Sequence, residues 1–129
     1  MSQPHALIID DNAKNVIVLA NMLSEENVTN TQVTNPKQID ATLSNITQVD
    51  VIFLDLEMPG LDGYQVLQKI KADARFQGVP VVAYTVHVSE IHAANKGGFD
   101  GFIGKPLNAD KFPQQLKRIL SGQSVWETV

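Results

Sequence analysis

Four short apolar runs in this 129-residue chain each lead into residues able to do chemistry. Val51-Ile52-Phe53-Leu54 runs into Asp55, and Ala6-Leu7-Ile8-Ile9 into Asp10-Asp11. Val79 to Tyr84 ends in Thr85, and Phe102-Ile103-Gly104 ends in Lys105-Pro106. Carboxylate oxygens with no histidine or sulfur beside them favour a hard cation, Mg²⁺ or Mn²⁺, over zinc. Continuous apolar runs of this length read as strands buried on both faces. Each of the four then delivers its polar group at the same end, the carboxyl edge where open α/β sheets bind ligands. For Asp55 alone two readings stand side by side. It is a ligand-site group, or it satisfies amides of the loop Leu56-Glu57-Met58-Pro59-Gly60 that follows it.

The intervening segments have the period of helices. Asn12 opens one in which Val16, Leu19, Ala20 and Leu23 share a face, fading at Glu25-Glu26-Asn27. Val28 to Thr34, β-branched and polar by turns, reads as a second strand nearer the sheet edge. Asn35-Pro36 is a cap followed by proline at the first helical position, and Ile39, Leu43 and Ile46 give the second helix its stripe. Asp62 caps the third, with Val66, Leu67 and Ile70 inward. The fourth strand spans Val79 to Tyr84, with Pro80 tolerable near its start. Val88 to Lys96 has the thinnest helical pattern, Ile91 and Ala94, and Gly97-Gly98 ends it. In the last helix Phe112, Leu116, Ile119 and Leu120 share a face, and Pro113 places the N-cap at Asp110. Five alternating β/α units with right-handed crossovers make a parallel sheet covered on both faces.

Composition bounds the function classes. The length suits one domain with a real core. A net charge of −4 without a Lys/Arg-dense run argues against direct nucleic-acid binding. The absence of cysteine excludes disulfides, thiol catalysis and thiolate metal sites. No stretch has the length of a membrane span, and MSQPHALIIDDN lacks the charged start of a signal peptide, so no membrane association and a cytoplasmic address are expected.

The segments IIDDN, FLDLEMPGLDG, AYT and FIGKP occur in the order found in one family. From His5 to about Leu120 the chain resembles the receiver (CheY-like) domain of two-component response regulators. The resemblance implies an α/β fold, a (βα)5 flavodoxin-like doubly wound parallel sheet with strand order 2-1-3-4-5, over residues 1–121, with 122–129 as a short tail. It brings Asp10, Asp11 and Asp55 together. Two carboxylates about 4 Å apart repel by roughly 4 kcal/mol at an effective dielectric near 20, so such a cluster needs a cation. By resemblance Asp11 and Asp55 ligate Mg²⁺ (or Mn²⁺) directly, Asp10 acts through water, and the Glu57 main-chain carbonyl adds an oxygen. Asp55 is then the phosphoacceptor, loaded from a phosphohistidine on a sensor histidine kinase or a histidine phosphotransfer protein. Lys105 and Thr85 steady the phosphoryl oxygens. A cis peptide before Pro106 aims Lys105. Thr85 and Phe102 form the switch, the aromatic ring moving inward as the hydroxyl is drawn away; the alternative for Phe102 is ordinary core packing. The fourth helix, fifth strand and fifth helix are the face for an unknown downstream protein. The implied role is a signalling switch, not an enzyme beyond self-phosphorylation and slow autodephosphorylation.

Some residues depart from the family. Val86 follows the switch threonine where most receivers carry a small residue, and its methyls are expected to crowd the approach to Asp55. Glu57 and His87 flank the same entrance, where a contact between them, strongest when His87 is protonated, would gate it; the alternative is that both face solvent. His5, His87 and His92 have no metal-ligand spacing and are read as surface residues. Trp126 either packs back on the domain or anchors a partner. The tail SGQSVWETV and Met1 favour a free-standing regulator over a module cut from a hybrid histidine kinase. A haloacid-dehalogenase-like phosphatase also uses an aspartyl phosphate, but its nucleophile follows the first strand with a second aspartate two positions on. Here the first strand ends in an adjacent acid pair, and position 57 is Glu. An FMN carrier is disfavoured because Asp10-Asp11 would repel the phosphate.

Overall fold

A computed structural model describes residues 3–127. The sheet order is β2-β1-β3-β4-β5-β6, all pairs parallel. The strands are β1 (His5–Ile9), β2 (Thr29–Val33), β3 (Val51–Asp55), β4 (Val81–Thr85), β5 (Gly101–Gly104) and β6 (Trp126–Glu127). The helices are α1 (Ala13–Glu25), α2 (Ile39–Asn45), α3 (Gly63–Ala72), α4 (Ile91–Gly97) and α5 (Phe112–Leu120). This is the doubly wound α/β architecture with the order 2-1-3-4-5, extended by one strand.

Side-chain alternation splits the core into two layers. Ala6, Ile8, Val51, Phe53, Val82 and Tyr84 face α1 and α5, where Leu19, Leu23, Phe112 and Leu116 meet them. Leu7, Ile9, Ile52, Leu54, Ala83 and Phe102 face α2, α3 and α4, against Leu43, Leu67, Ile70 and Ala94. Phe53 is wholly buried between Tyr84 and Phe112, with ring centroids 6.5 and 6.3 Å away. A side chain of that kind contributes about 1.5–3 kcal/mol by burial. Because central strands are apolar on both sides, their polar residues are forced to the strand ends, where the sheet opens.

Caps set most boundaries. The Asn12 carboxamide accepts from the amides of Lys14 and Asn15, and the Asp62 carboxylate from the amide of Tyr64. Gly98 ends α4 in the left-handed region (φ 103°), which a glycine adopts without strain. Gly97 is small for another reason: a Cβ there would lie 2.7 Å from the Tyr64 ring.

Other boundaries differ from the sequence reading. The cap of the last helix is not Asp110. The Asn108 side chain accepts from the amides of Asp110 and Lys111, closing a separate turn, and α5 starts only at Phe112. Pro113 therefore still falls in the first helical turn, where its missing N–H costs nothing. Pro80 lies outside β4, which runs one residue further to include Thr85. Pro36 opens a 3-10 turn (Pro36–Gln38) before α2, and Ile46 has extended backbone just past its end. Val88–Glu90 is likewise a 3-10 turn leading into α4. His5 is half-buried, its ring 2.7 Å from the Thr29 hydroxyl and 2.6 Å from that of Thr31. The largest difference is β6, which pairs Phe102 with Trp126 and Ile103 with Glu127 along the outer edge of β5.

Candidate functional site

Register brings the chemistry-bearing residues to one edge. Ile9 pairs with Leu54, Asp55 with Tyr84 and Thr85 with Gly104, so the carboxyl ends of β1, β3, β4 and β5 lie side by side. Asp10 follows β1, Asp55 closes β3, Thr85 closes β4 and Lys105 follows β5. Asp10, Asp55 and Thr85 are buried, whereas Asp11 is exposed. Each of the three carboxylates offers an oxygen within 4.8 Å of the others.

Lys105 neutralises the buried part of this cluster. Its Nζ lies 3.0 Å from Asp10 Oδ2 and 3.3 Å from Asp55 Oδ1, with its side chain 6% exposed. The ammonium also sits 4.1 Å above the centroid of the Tyr84 ring, a cation–π contact the sequence reading did not include. The peptide bond between Lys105 and Pro106 is cis. Asp10 Oδ1 accepts from the Asn12 amide at 2.9 Å, and Asp55 Oδ1 from the Glu57 amide at 3.0 Å. Asp55 thus satisfies a loop amide and faces the cluster at once. Burial is the main reason that its carboxyl is raised from 3.8 to about 6. The Glu57 amide and Lys105 pull it down, and Asp10 pushes it up. An all-oxygen donor set, two of its carboxylates buried and one open to solvent, fits a hard divalent cation.

A second cluster adjoins the first through Thr85. The Thr85 hydroxyl donates to Glu57 Oε1 at 3.3 Å and accepts from the His87 amide at 3.1 Å. His87 Nε2 lies 3.4 Å from Glu57 Oε2, so the two side chains are in contact although both are partly exposed. Glu90, absent from the sequence reading, joins them. Burial first, and then the hydrogen bond and charge of Glu57, hold its carboxyl above the usual range, with His87 opposing. No periodicity marks it, because it stands on a short 3-10 turn and its tie to Glu57 is distant in sequence. Val86 is 56% exposed beside this cluster in sequence. Phe102 is fully buried in the core layer that faces α2, α3 and α4.

Residues 6–117 match the family described as the response regulator receiver domain. The chain belongs to that family. Among receiver relatives, the two-component response regulator ORR8 of Oryza sativa subsp. indica is 32% identical over 121 residues, covering 92% of this chain and all of ORR8. The response regulator Rre1 of Synechocystis sp. is 36% identical over 75 residues, which are 57% of this chain but only 32% of Rre1. In fold, the receiver domain of the sensor histidine kinase PA1611 from Pseudomonas aeruginosa PAO1 superposes with a TM-score of 0.80 at 24% identity. That match covers 93% of this chain and 99% of the other, and the PA1611 receiver has a magnesium ion coordinated in its active-site cleft. Among the described residues no helix is long and apolar enough to cross a membrane.

Proposed function

We propose that this receiver accepts a phosphoryl group on Asp55 from a phosphohistidine of a sensor histidine kinase or histidine phosphotransfer protein. The observation that carries the reading is the convergence of Asp10, Asp11 and Asp55 on one edge with Lys105 between the two buried acids. An Asp55 oxygen attacks phosphorus as the bond to the donor imidazole breaks, leaving an acyl phosphate. Asp11, Asp55 and the Glu57 carbonyl would hold Mg²⁺ (or Mn²⁺), with Asp10 acting through water. When bound, the ion supplies positive charge against the incoming phosphoryl oxygens. Lys105 carries its ammonium to a second oxygen, already placed 3.3 Å from Asp55. Thr85 hydrogen-bonds a third by releasing Glu57, and that exchange of partner is the switching event. The readout is binding of a downstream protein at the face of α4, β5 and α5.

Addition of Mg²⁺ and beryllofluoride, a phosphoryl mimic, tests this reading by amide chemical shifts. Changes are expected to concentrate from Thr85 to Lys117 and to require the metal. Changes confined to the neighbourhood of Asp10, Asp11 and Asp55 would mean that the site fills without switching a face.

The contact between Glu57 and His87 bears on the lifetime of the acyl phosphate. Replacing both by alanine is expected to speed spontaneous dephosphorylation severalfold. Val86→Ala is expected to speed loading from a small phosphodonor. Phosphate-release time courses check the first, and equal lifetimes for wild type and double variant would remove the gate.

A further inference from the structure

The outer edge of β5 is occupied by the chain's own C-terminal segment, and the way it sits describes what that edge accepts. The Phe102 amide donates to the Val125 carbonyl at 2.6 Å, and the ladder continues for the two residues of β6. Val125 is wholly buried in the α1/α5 layer, while Trp126 packs half-buried against the opposite layer that holds Phe102. Glu127 Oε1 accepts from Gln115 Nε2 at 2.8 Å and lies 3.9 Å from Arg118 Nη1. Backbone pairing, an aliphatic socket, an aromatic shelf and a basic corner are the parts of a strand-addition site.

Two observations mark the resident strand as replaceable. It is a two-residue ladder reached through a connector, residues 121–124, that is exposed throughout and turns at Gly122 (φ 92°). It also leaves its site unfinished, because Gln115, only 3% exposed, has its Oε1 without a hydrogen-bond partner. A buried acceptor left unpaired is costly, and a segment offering one more N–H would satisfy it.

We propose that the β5 edge is an acceptor for an extended, parallel segment of a partner protein carrying an aliphatic, an aromatic and an acidic residue in succession, with residues 125–127 as its tethered competitor. This deepens the reading of α4, β5 and α5 as the partner face and rests on it, while the peptide test needs no phosphoryl group. A tethered occupant acts at an effective concentration of the order of millimolar, so the unaltered chain binds a free segment weakly.

The probe is a fluorescein-labelled peptide with the sequence of residues 122–129, titrated by anisotropy onto the 129-residue chain as wild type, Trp126→Ala and Glu127→Lys. Weakening the resident strand is expected to tighten peptide binding at least tenfold in each variant, and a peptide with lysine at the acidic position is expected not to bind. The chain's single tryptophan gives a second readout in the wild type. Excess peptide with phenylalanine in place of tryptophan should red-shift Trp126 emission and open it to acrylamide. Equal affinities for all three proteins would overturn the proposal, as would absence of binding to variants with wild-type circular dichroism. Loss of fold in both variants would make β6 an integral part of the core and overturn it too. A dimer of the unlabelled wild type by sedimentation at the titration concentration would assign the edge to a second copy and overturn the partner reading.

Discussion

Lys105→Ala is expected to lower stability at pH 7 by about 3–5 kcal/mol, the usual cost of breaking a buried ion pair from one side. The size follows from what the ammonium leaves behind. Asp10 is fully buried and Asp55 only 2% exposed, and Lys105 is the cation in contact with both. Against a total of about 5–15 kcal/mol for a native domain, the loss takes a large share of the stability. Urea unfolding without divalent metal measures it directly. Mg²⁺ should restore part of the loss, since it offers the same carboxylates another positive charge and stabilises by binding the folded state. A change below about 1 kcal/mol would place the lysine's contribution among ordinary exposed pairs and undo the electrostatic account of the cluster.

Asp55→Asn is expected to act in the opposite direction, and with a distinct pH profile. The carboxyl is raised from 3.8 to about 6 in the folded chain, chiefly by burial. Between those values the folded state holds a proton that the unfolded state has released, so wild-type stability falls as pH rises through this window. Above about pH 6 the full penalty is present, of the order of 3 kcal/mol. Asparagine keeps the shape and carries no charge, so the variant should be more stable by about 2–3 kcal/mol at pH 7.5, with the gain fading toward pH 4. Thermal or urea unfolding in chelator at several pH values reads the profile. A gain that does not vary with pH would mean that the carboxylate is not being desolvated at this site. Saturating Mg²⁺ should shrink the gain, because it stabilises the wild type through the ligand that the variant lacks.

Much of this was legible in the chain itself. The buried strands were visible as unbroken apolar runs, and a polar residue after each one had nowhere to go but the sheet edge. Asn12 and Asp62 announced their helices because a short polar side chain just before an amphipathic run has one dominant use. What failed to show was set by contacts distant in sequence. Asp110 has the side chain of a cap, yet it lies within a separate turn closed by Asn108 that no periodicity encodes, and the helix begins beyond it. The two residues of β6 are too few to carry a strand pattern, and Trp126 pairs because the β5 edge is open. Glu90 sits on a weakly patterned turn, and its tie to Glu57 exists only once β3 and β4 lie side by side. In each case local preference was silent and packing decided.

The central claim is that Asp55 is the phosphoacceptor of a metal-dependent receiver. The most direct measurement is the intact mass of the wild type and of Asp55→Asn after incubation with a small phosphodonor, with Mg²⁺ and with chelator. The account predicts one phosphoryl group on the wild type, only with the metal, and none on the variant under either condition. Incorporation into Asp55→Asn at the wild-type rate, with the label mapped to another residue, would contradict it.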